Sequence, residues 1–184
     1  GFQIASSLDL RESYTQLLIK EEDQDKLTFT WNSIRYSWQG SPYGLKFLTA
    51  HFQRMMTSVL SKCLSFVIIF VDDIVVFSDS VSEHITHLNR VISILNSVSL
   101  RLNLDKCRFG FTQLPILGHI VSGDQIKPDP DKIASFHNMS IPKSGKQMES
   151  FLGMANYLRD YIPLYARICA PLEKLRKLKT IGAE

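Results

Sequence analysis

The chain has 184 residues, 45% of them hydrophobic and 21% charged, with a formal net charge of +3. That length can bury a core in one large domain or two small ones, and the balance is ordinary for a soluble globular protein. No apolar run reaches the roughly 18 residues that span a bilayer, no secretory signal opens the chain, and Cys63, Cys107 and Cys169 read as free thiols of a reducing compartment. The charge is a mild pull toward an anionic partner and decides nothing alone. Starting without Met and in mid-pattern, the sequence reads as a piece of a longer polypeptide.

Residues 4–19 predict a strand, a polar turn and a short helix, with Asp9 closing the strand. Taken alone, that aspartate reads first as a helix N-cap. A charged, solvated loop follows over 20–26, then two β-rich segments, 27–31 and 34–38, around Asn32-Ser33 as a hairpin. Pro42-Tyr43-Gly44 breaks the pattern. A helix is predicted over about 47–60, with Leu48, Phe52, Met55, Met56 and Val59 at helical spacing as core material.

The stretch over 65–78 carries two adjacent carboxylates, Asp72 and Asp73, inside an apolar, β-branched run. It predicts strands at 66–71 and 74–77 with both acids at the reversal. Two carboxylates so close repel each other, and burying them unpaired costs several kcal/mol or more, so a cation should meet them. The plainer alternative is that Asp is a common turn residue.

Ser80-Val81-Ser82-Glu83 then has the form of a capping box, opening a helix whose face is Ile85, Leu88, Val91, Ile92 and Leu95. Leu100, Leu102 and Leu104 alternate like a strand packed on one side, and 116–121 predicts another strand before the turn Ser122-Gly123-Asp124. Residues 127–130 read as a linker into a helix, Asp129 being its cap and Pro130 its first residue. Pro142 stops that helix, and Ser144 caps another with the stripe Met148, Phe151, Leu152, Ala155 and Leu158. A last helical stretch from about Leu164 ends in Lys174, Arg176, Lys177 and Lys179.

A strand ending in Asp9 and a hairpin tipped by Asp72-Asp73 can lie side by side in one antiparallel sheet. Three converging carboxylates would suit a pair of Mg²⁺ ions, whose hard-oxygen shell leaves room for substrate phosphates. Such a pair serves nucleotidyl transfer, activating a 3′-oxygen and stabilising the departing pyrophosphate.

These residues resemble the reverse transcriptase of gypsy-type long-terminal-repeat retrotransposons, nearly continuously along the chain. Leu8-Asp9-Leu10-Arg11 with Tyr14 and Gln16 looks like the first polymerase motif, and Pro42-Tyr43-Gly44-Leu45-Lys46 with Phe52-Gln53-Arg54 is similar to the second. Phe70-Val71-Asp72-Asp73 resembles the aromatic-x-Asp-Asp box. Lys106-Cys107, then Leu117-Gly118-His119-Ile120-Val121-Ser122, Ile126-Lys127-Pro128-Asp129-Pro130, the run 151–157 and Ala170-Pro171-Leu172 follow in family order.

The resemblance implies an α+β fold: an antiparallel palm sheet with helices on one face, part of the fingers inserted at about 20–44 within 1–122, and a helical thumb over 123–184. It implies that Asp9 and Asp72 hold two Mg²⁺ ions (Mn²⁺ being a substitute), with Asp73 and the Leu10 carbonyl assisting. Tyr14 would exclude a ribose 2′-OH, Lys106 would protonate pyrophosphate, and Arg11, Tyr43, Gly44, Phe70 and Val71 would line the deoxynucleotide site. Leu117, Gly118 and His119, within 117–121, would form a primer grip. Lys46, Lys143 and Lys146 would meet the RNA or DNA template-primer, in a virus-like particle in the cytoplasm or in the nucleus.

Two departures stand out. Phe47-Leu48-Thr49 replaces the family's usual Asn-Ala-Pro, and Phe70 replaces its usual Tyr. The family's upstream fingers segment and ribonuclease H lie outside this sequence, so the isolated chain is expected to bind Mg²⁺ and primer–template weakly and to polymerise poorly or not at all. The rival reading is an inactive, retrotransposon-derived nucleic-acid-binding or interaction module. A phosphohydrolase built on paired acids leaves the basic helical tail unexplained. His84, His87, Cys107 and His119 match no common zinc spacing.

Overall fold

The computed structural model describes residues 1–181, which divide into two compact units. The first comprises 1–114 with 122–124, and the second 115–121 with the residues from Gln125 onward. The expected boundary at 122 thus falls among residues where the two units interleave.

The first unit is built on a four-stranded antiparallel sheet in the order β4-β5-β1-β6, from β1 (Ile4–Asp9), β4 (Val67–Phe70), β5 (Asp73–Ser78) and β6 (Arg108–Phe111). The β-branched run explains the central position of β5, where Ile74, Val75 and Val76 are buried. Helices α2 (Leu48–Val59) and α3 (Val81–Ser97) contribute Phe52, Met56, Val91 and Leu95 to the same core as Leu8, Ile74 and Val76. α3 starts as the capping signal requires: Ser80 Oγ accepts from the Glu83 N–H at 3.2 Å, while Glu83 reaches back to the Asp79 N–H at 3.1 Å. Buried His84 then ties α3 to the sheet through Ser6 Oγ of β1 (2.7 Å) and Ser78 Oγ of β5 (2.9 Å). A separate hairpin, β2 (Thr28–Trp31) and β3 (Ile34–Ser37), turns at Asn32-Ser33, both with positive φ, the pattern of a type I′ turn.

Several expectations need correction. No helix follows Asp9; residues 11–16 form successive turns, with Thr15 N–H bonded to Glu12 O and Leu17 N–H to Tyr14 O, so Asp9 caps nothing. A four-residue helix, α1 (Glu21–Gln24), occupies the predicted loop, its acids gathered in the first turn where the helix dipole favours them. Leu100, Leu102 and Leu104 form no strand: Leu100 is buried, Leu102 makes a single bridge to Leu10, and Leu104 is exposed. The strand partnering that edge is β6, four residues that all lie exposed, its alternating Phe109 and Phe111 included.

A three-stranded sheet follows, β7 (Gln113–Ile116), β8 (His119–Ser122) and β9 (Ile126–Pro128), most of whose residues belong to the second unit. The predicted strand over 116–121 is interrupted, because Leu117 and Gly118 both take positive φ and form the turn between β7 and β8. Part of the predicted linker is β9. Helices α4 (Pro130–His137), α5 (Gly145–Tyr157) and α6 (Tyr165–Glu173) follow, with Asp129 and Ser144 as side-chain caps of α4 and α5. α4 ends at His137, ahead of Pro142. Met148, Leu152 and Cys169 make the core of this unit.

Candidate active site

The site is assembled by register. Antiparallel pairing sets Asp9, the last residue of β1, opposite Asp73, the first of β5, and Asp73 in turn opposite Phe70. The reversal is therefore the two residues Val71 and Asp72, and Asp73 belongs to the strand rather than to the tip. Val71 carries φ 56°, a left-handed conformation that a β-branched residue adopts only under constraint. That constraint is Gln53 on α2: its Oε1 accepts from the Val71 N–H at 2.6 Å and its Nε2 donates to the Ile69 carbonyl at 3.2 Å. Gln53 stands in the second motif by sequence, but a glutamine on a helix face carries no signal of what it will clamp.

Asp9 is fixed from the other side. Its carbonyl accepts from the Asn103 N–H at 2.9 Å, and its N–H points at Cys107 Sγ at 3.4 Å. Asp9 and Asp72 line one cleft of about 270 Å³ with Leu10, Arg11, Tyr43 and Lys106. Of the predicted residues, then, the cleft gathers Asp9, Leu10, Arg11, Tyr43, Asp72 and Lys106. Glu12, Ser13 and Asn103 complete its wall and were not predicted; Asn103 stands out in sequence only as the polar residue between two leucines.

Other predicted residues lie elsewhere. Asp73 faces Asp9 across the register without lining the cleft. Although the residue is exposed, partial burial and then the charges of Asp72 and Asp9 hold its carboxyl above the ordinary range. Tyr14 packs edge-on against Tyr43 (5.6 Å between centroids) and Phe52 (5.3 Å), its hydroxyl 3.2 Å from Thr49 Oγ1. Gly44, at φ +96°, supplies a backbone turn beside Tyr43 that a side chain would strain, while Lys46 and Phe70 are exposed.

In the second unit, the turn Leu117-Gly118-His119 is held by two tyrosines. Tyr157 donates to the Leu117 carbonyl and stacks on His119, and Tyr161 hydrogen-bonds His119 Nδ1 at 2.9 Å. A Cβ on Gly118 would strike the Tyr157 hydroxyl. Lys143 and Lys146 flank the start of α5 and are exposed.

Asp9 and Asp72 bring two hard oxygen donors to the cleft, the ligand type a divalent cation such as Mg²⁺ takes. Asp9 and Asp72 share the cleft with two cations, Arg11 and Lys106, and beside it partial burial and then the charges of Asp72 and Asp9 hold the Asp73 carboxyl above its ordinary range. Among the described residues no three His, Cys, Asp or Glu side chains stand close enough to chelate an ion unaided. The three-acid convergence read from the sequence is thus looser than expected, because pairing places Asp73 beside the cleft. That suits an ion such as Mg²⁺, which retains water and substrate oxygens in its shell.

The reverse transcriptase (RNA-dependent DNA polymerase) family signature matches residues 1–121. The chain belongs to that family. It is 36% identical to the retrovirus-related Pol polyprotein from transposon 297 of Drosophila melanogaster, covering 97% of this chain and 17% of that protein. It is 32% identical to the corresponding polyprotein from transposon gypsy of the same organism, over 94% of this chain and 17% of the relative. The chain therefore spans about a sixth of the relatives it matches. The fold agrees with that of a foamy viral protease–reverse transcriptase solved with double-stranded DNA: TM-score 0.93, 23% identity, all of this chain and 33% of that one. A second such structure, with an RNA/DNA hybrid, aligns at TM-score 0.87 and 23% identity over 99% of this chain and 25% of that one. The reverse transcriptase family and an α+β fold, with an antiparallel palm sheet backed by helices, are both as the sequence implied.

Proposed function

We propose that this chain is the palm and thumb portion of an RNA-directed DNA polymerase that adds deoxynucleotides to a primer 3′-hydroxyl. The observation that carries this reading is one cleft lined by Asp9 from β1, Asp72 from the hairpin tip and Lys106. Asp9, Asp72 and the Leu10 carbonyl, with Asp73 in support, are the groups that would hold two Mg²⁺ ions. When bound, such ions supply charge neutralisation and a more acidic primer hydroxyl.

The remaining roles fall to the chain's own groups. Lys106 is the acid available to the departing pyrophosphate. Arg11, Tyr43 and Gly44 receive the nucleotide, Phe70 and Val71 shape the tip beneath it, and Tyr14 stiffens the wall that excludes a 2′-hydroxyl by packing between Tyr43 and Phe52. In the second unit, the turn at 117–119 offers backbone to a primer, and Lys143 and Lys146 offer charge to duplex phosphates, as Lys46 does in the first unit. The nucleic acids in the foamy viral complexes support template-primer as the partner.

The test is primer extension by a chimaera in which the sequence preceding the matched region of the transposon 297 polyprotein is fused ahead of Gly1. Divalent-dependent deoxynucleotide incorporation that Asp72→Asn abolishes is the expected result. A chimaera that binds primer–template tightly but extends it neither as the native nor as the variant form favours the interaction-module reading.

A further inference from the structure

Asp9 is held in the cleft by its backbone, and one part of that hold is a side chain. β1 pairs β5 along its whole length, Ile4–Asp9 against Ser78–Asp73. On the other edge of β1 the ladder to β6 ends at the Ser7–Arg108 rung and resumes only as the single bridge Leu10–Leu102. Between those two rungs the chain from Asn103 to Cys107 folds into turns instead of a strand. The Asn103 carbonyl accepts from the N–H groups of Lys106 at 3.1 Å and Cys107 at 3.2 Å.

Asp9 lies opposite this gap, and the turns meet both of its backbone polar groups. At their start the Asn103 N–H donates to the Asp9 carbonyl at 2.9 Å, and at their end Cys107 Sγ accepts from the Asp9 N–H at 3.4 Å. The same sulfur stands 3.9 Å from the Asp9 carbonyl oxygen. The thiol thus answers an N–H that the interrupted ladder would otherwise leave unpaired, which is costly for a half-buried residue. Cysteine suits both demands of the position. Half-buried, it packs against the core that contains Leu8 and Leu10, and it still offers a weak, polarisable acceptor. The turns anchored in this way also carry Lys106, which lines the carboxylate cleft with Asp9.

We propose that Cys107 is a positioning residue, its sulfur fixing the backbone of Asp9 and with it the place of the Asp9 carboxylate in the cleft. The proposal rests on the reading of Asp9 as a metal-holding carboxylate and deepens it. Asn103 and Cys107 act as a two-point clip, so the carboxylate and the turn bearing Lys106 are set by one junction.

The test compares the native 184-residue chain with three variants. Cys107→Ala removes the acceptor, Cys107→Ser keeps one, and Cys63→Ala deletes a fully buried thiol elsewhere in the same core. Hydrogen exchange of the Asp9 amide, read in chelator, should speed roughly two- to tenfold in Cys107→Ala and less in Cys107→Ser. Titration with Mn²⁺, followed by the electron paramagnetic resonance of the free ion, should show affinity lowered roughly tenfold in Cys107→Ala and partly restored in Cys107→Ser. Cys63→Ala should lower Tm at least as much as Cys107→Ala and leave both other readouts at native values, which separates positioning from loss of stability. Unchanged Asp9 exchange in Cys107→Ala overturns the proposal. So does faster exchange with native Mn²⁺ affinity, which makes the bond structural only, and so does an equal loss of affinity in Cys63→Ala. A native chain that binds no Mn²⁺ overturns the metal reading and this proposal with it, whereas native binding that Cys107→Ala leaves intact overturns the proposal alone.

Discussion

The first unit contains two hairpins with two-residue turns, and they are built on opposite terms. In β2–β3 every local choice agrees: Asn32 and Ser33, both tolerant of positive φ, sit where a type I′ turn needs them. Yet its large side chains lie open, with Trp31 65% and Ile34 56% exposed. In β4–β5 the turn residue is wrong for its conformation, since Val71 takes a positive φ at the first central position, where glycine is usual. Its strand β5 is nonetheless buried, with Ile74 and Val76 fully covered. One hairpin is held by its own sequence, the other by its surroundings. The positive φ lies beside Asp72, and the surroundings that pin the hairpin are Gln53 at the tip and His84 at the base.

The largest expected contrast lies in the strands. Ile74→Ala should cost about 2–5 kcal/mol in chemical denaturation, because the cavity it leaves is enclosed by the core. Trp31→Ser should change stability by less than about 0.5 kcal/mol, since its side chain already faces solvent. Comparable losses from the two would mean that the β2–β3 face is covered and the contrast is false.

Next comes the clamp. Gln53→Ala leaves the Val71 N–H and the Ile69 carbonyl without their partner and should destabilise by about 1–3 kcal/mol. In the extension-competent chimaera it should also lower the rate, with little change in primer–template affinity. Val71→Gly removes the side chain that resists positive φ, where the penalty is roughly 1–2 kcal/mol, but gives up about 0.5–1 kcal/mol in backbone entropy and that side chain's partial packing against the core, so a net change near zero or a small loss is expected. Asn32→Gly should move stability by only a few tenths of a kcal/mol. In a double-mutant cycle Gln53→Ala should cost less on the Val71→Gly background; strict additivity would show that Gln53 does not hold a strained turn.

How far the sequence reveals all this follows the same division. Ser80, Asp129 and Ser144 announce helix starts, Asn32-Ser33 announces its turn, and the apolar run around Asp72 announces a buried hairpin, because each signal is local. Register is not local. That Asp73 pairs with Asp9 depends on which strand lies beside β5, and that pairing draws Asp73 out of the tip where its sequence position suggests it sits. The missed strand β6 is four residues long, and its one alternation, Phe109 and Phe111 around Gly110, is too short to set it apart from a loop. Cys107 too is only one of three free thiols in sequence, until Asp9, 98 positions away, is seen to donate to it.

The smallest effect probes the base of the buried hairpin. His84 accepts and donates between Ser6 on β1 and Ser78 on β5, and Ser78 also bonds His87 Nδ1 at 2.8 Å. His87 stacks on Phe66 and stands 3.8 Å from Glu83, the nearest carboxylate of the group. Burial, and then His87, push the His84 imidazole below its ordinary range. The unfolded chain therefore binds a proton there more readily than the folded one, so stability is complete above the ordinary imidazole pKa of about 6.5 and is lost as pH falls below it. Asp73 works in the opposite sense: its raised pKa means that acidification toward the carboxylate range relieves repulsion in the folded state. Tm measured between pH 7 and pH 5 should thus fall in the native chain, and fall less in His84→Gln, whose amide can still span the two serines. On the Asp73→Asn background the fall should steepen slightly, since the compensating group is gone. An identical pH slope in native and His84→Gln chains would show that the serine–histidine anchor bears no part of what holds β5 to α3.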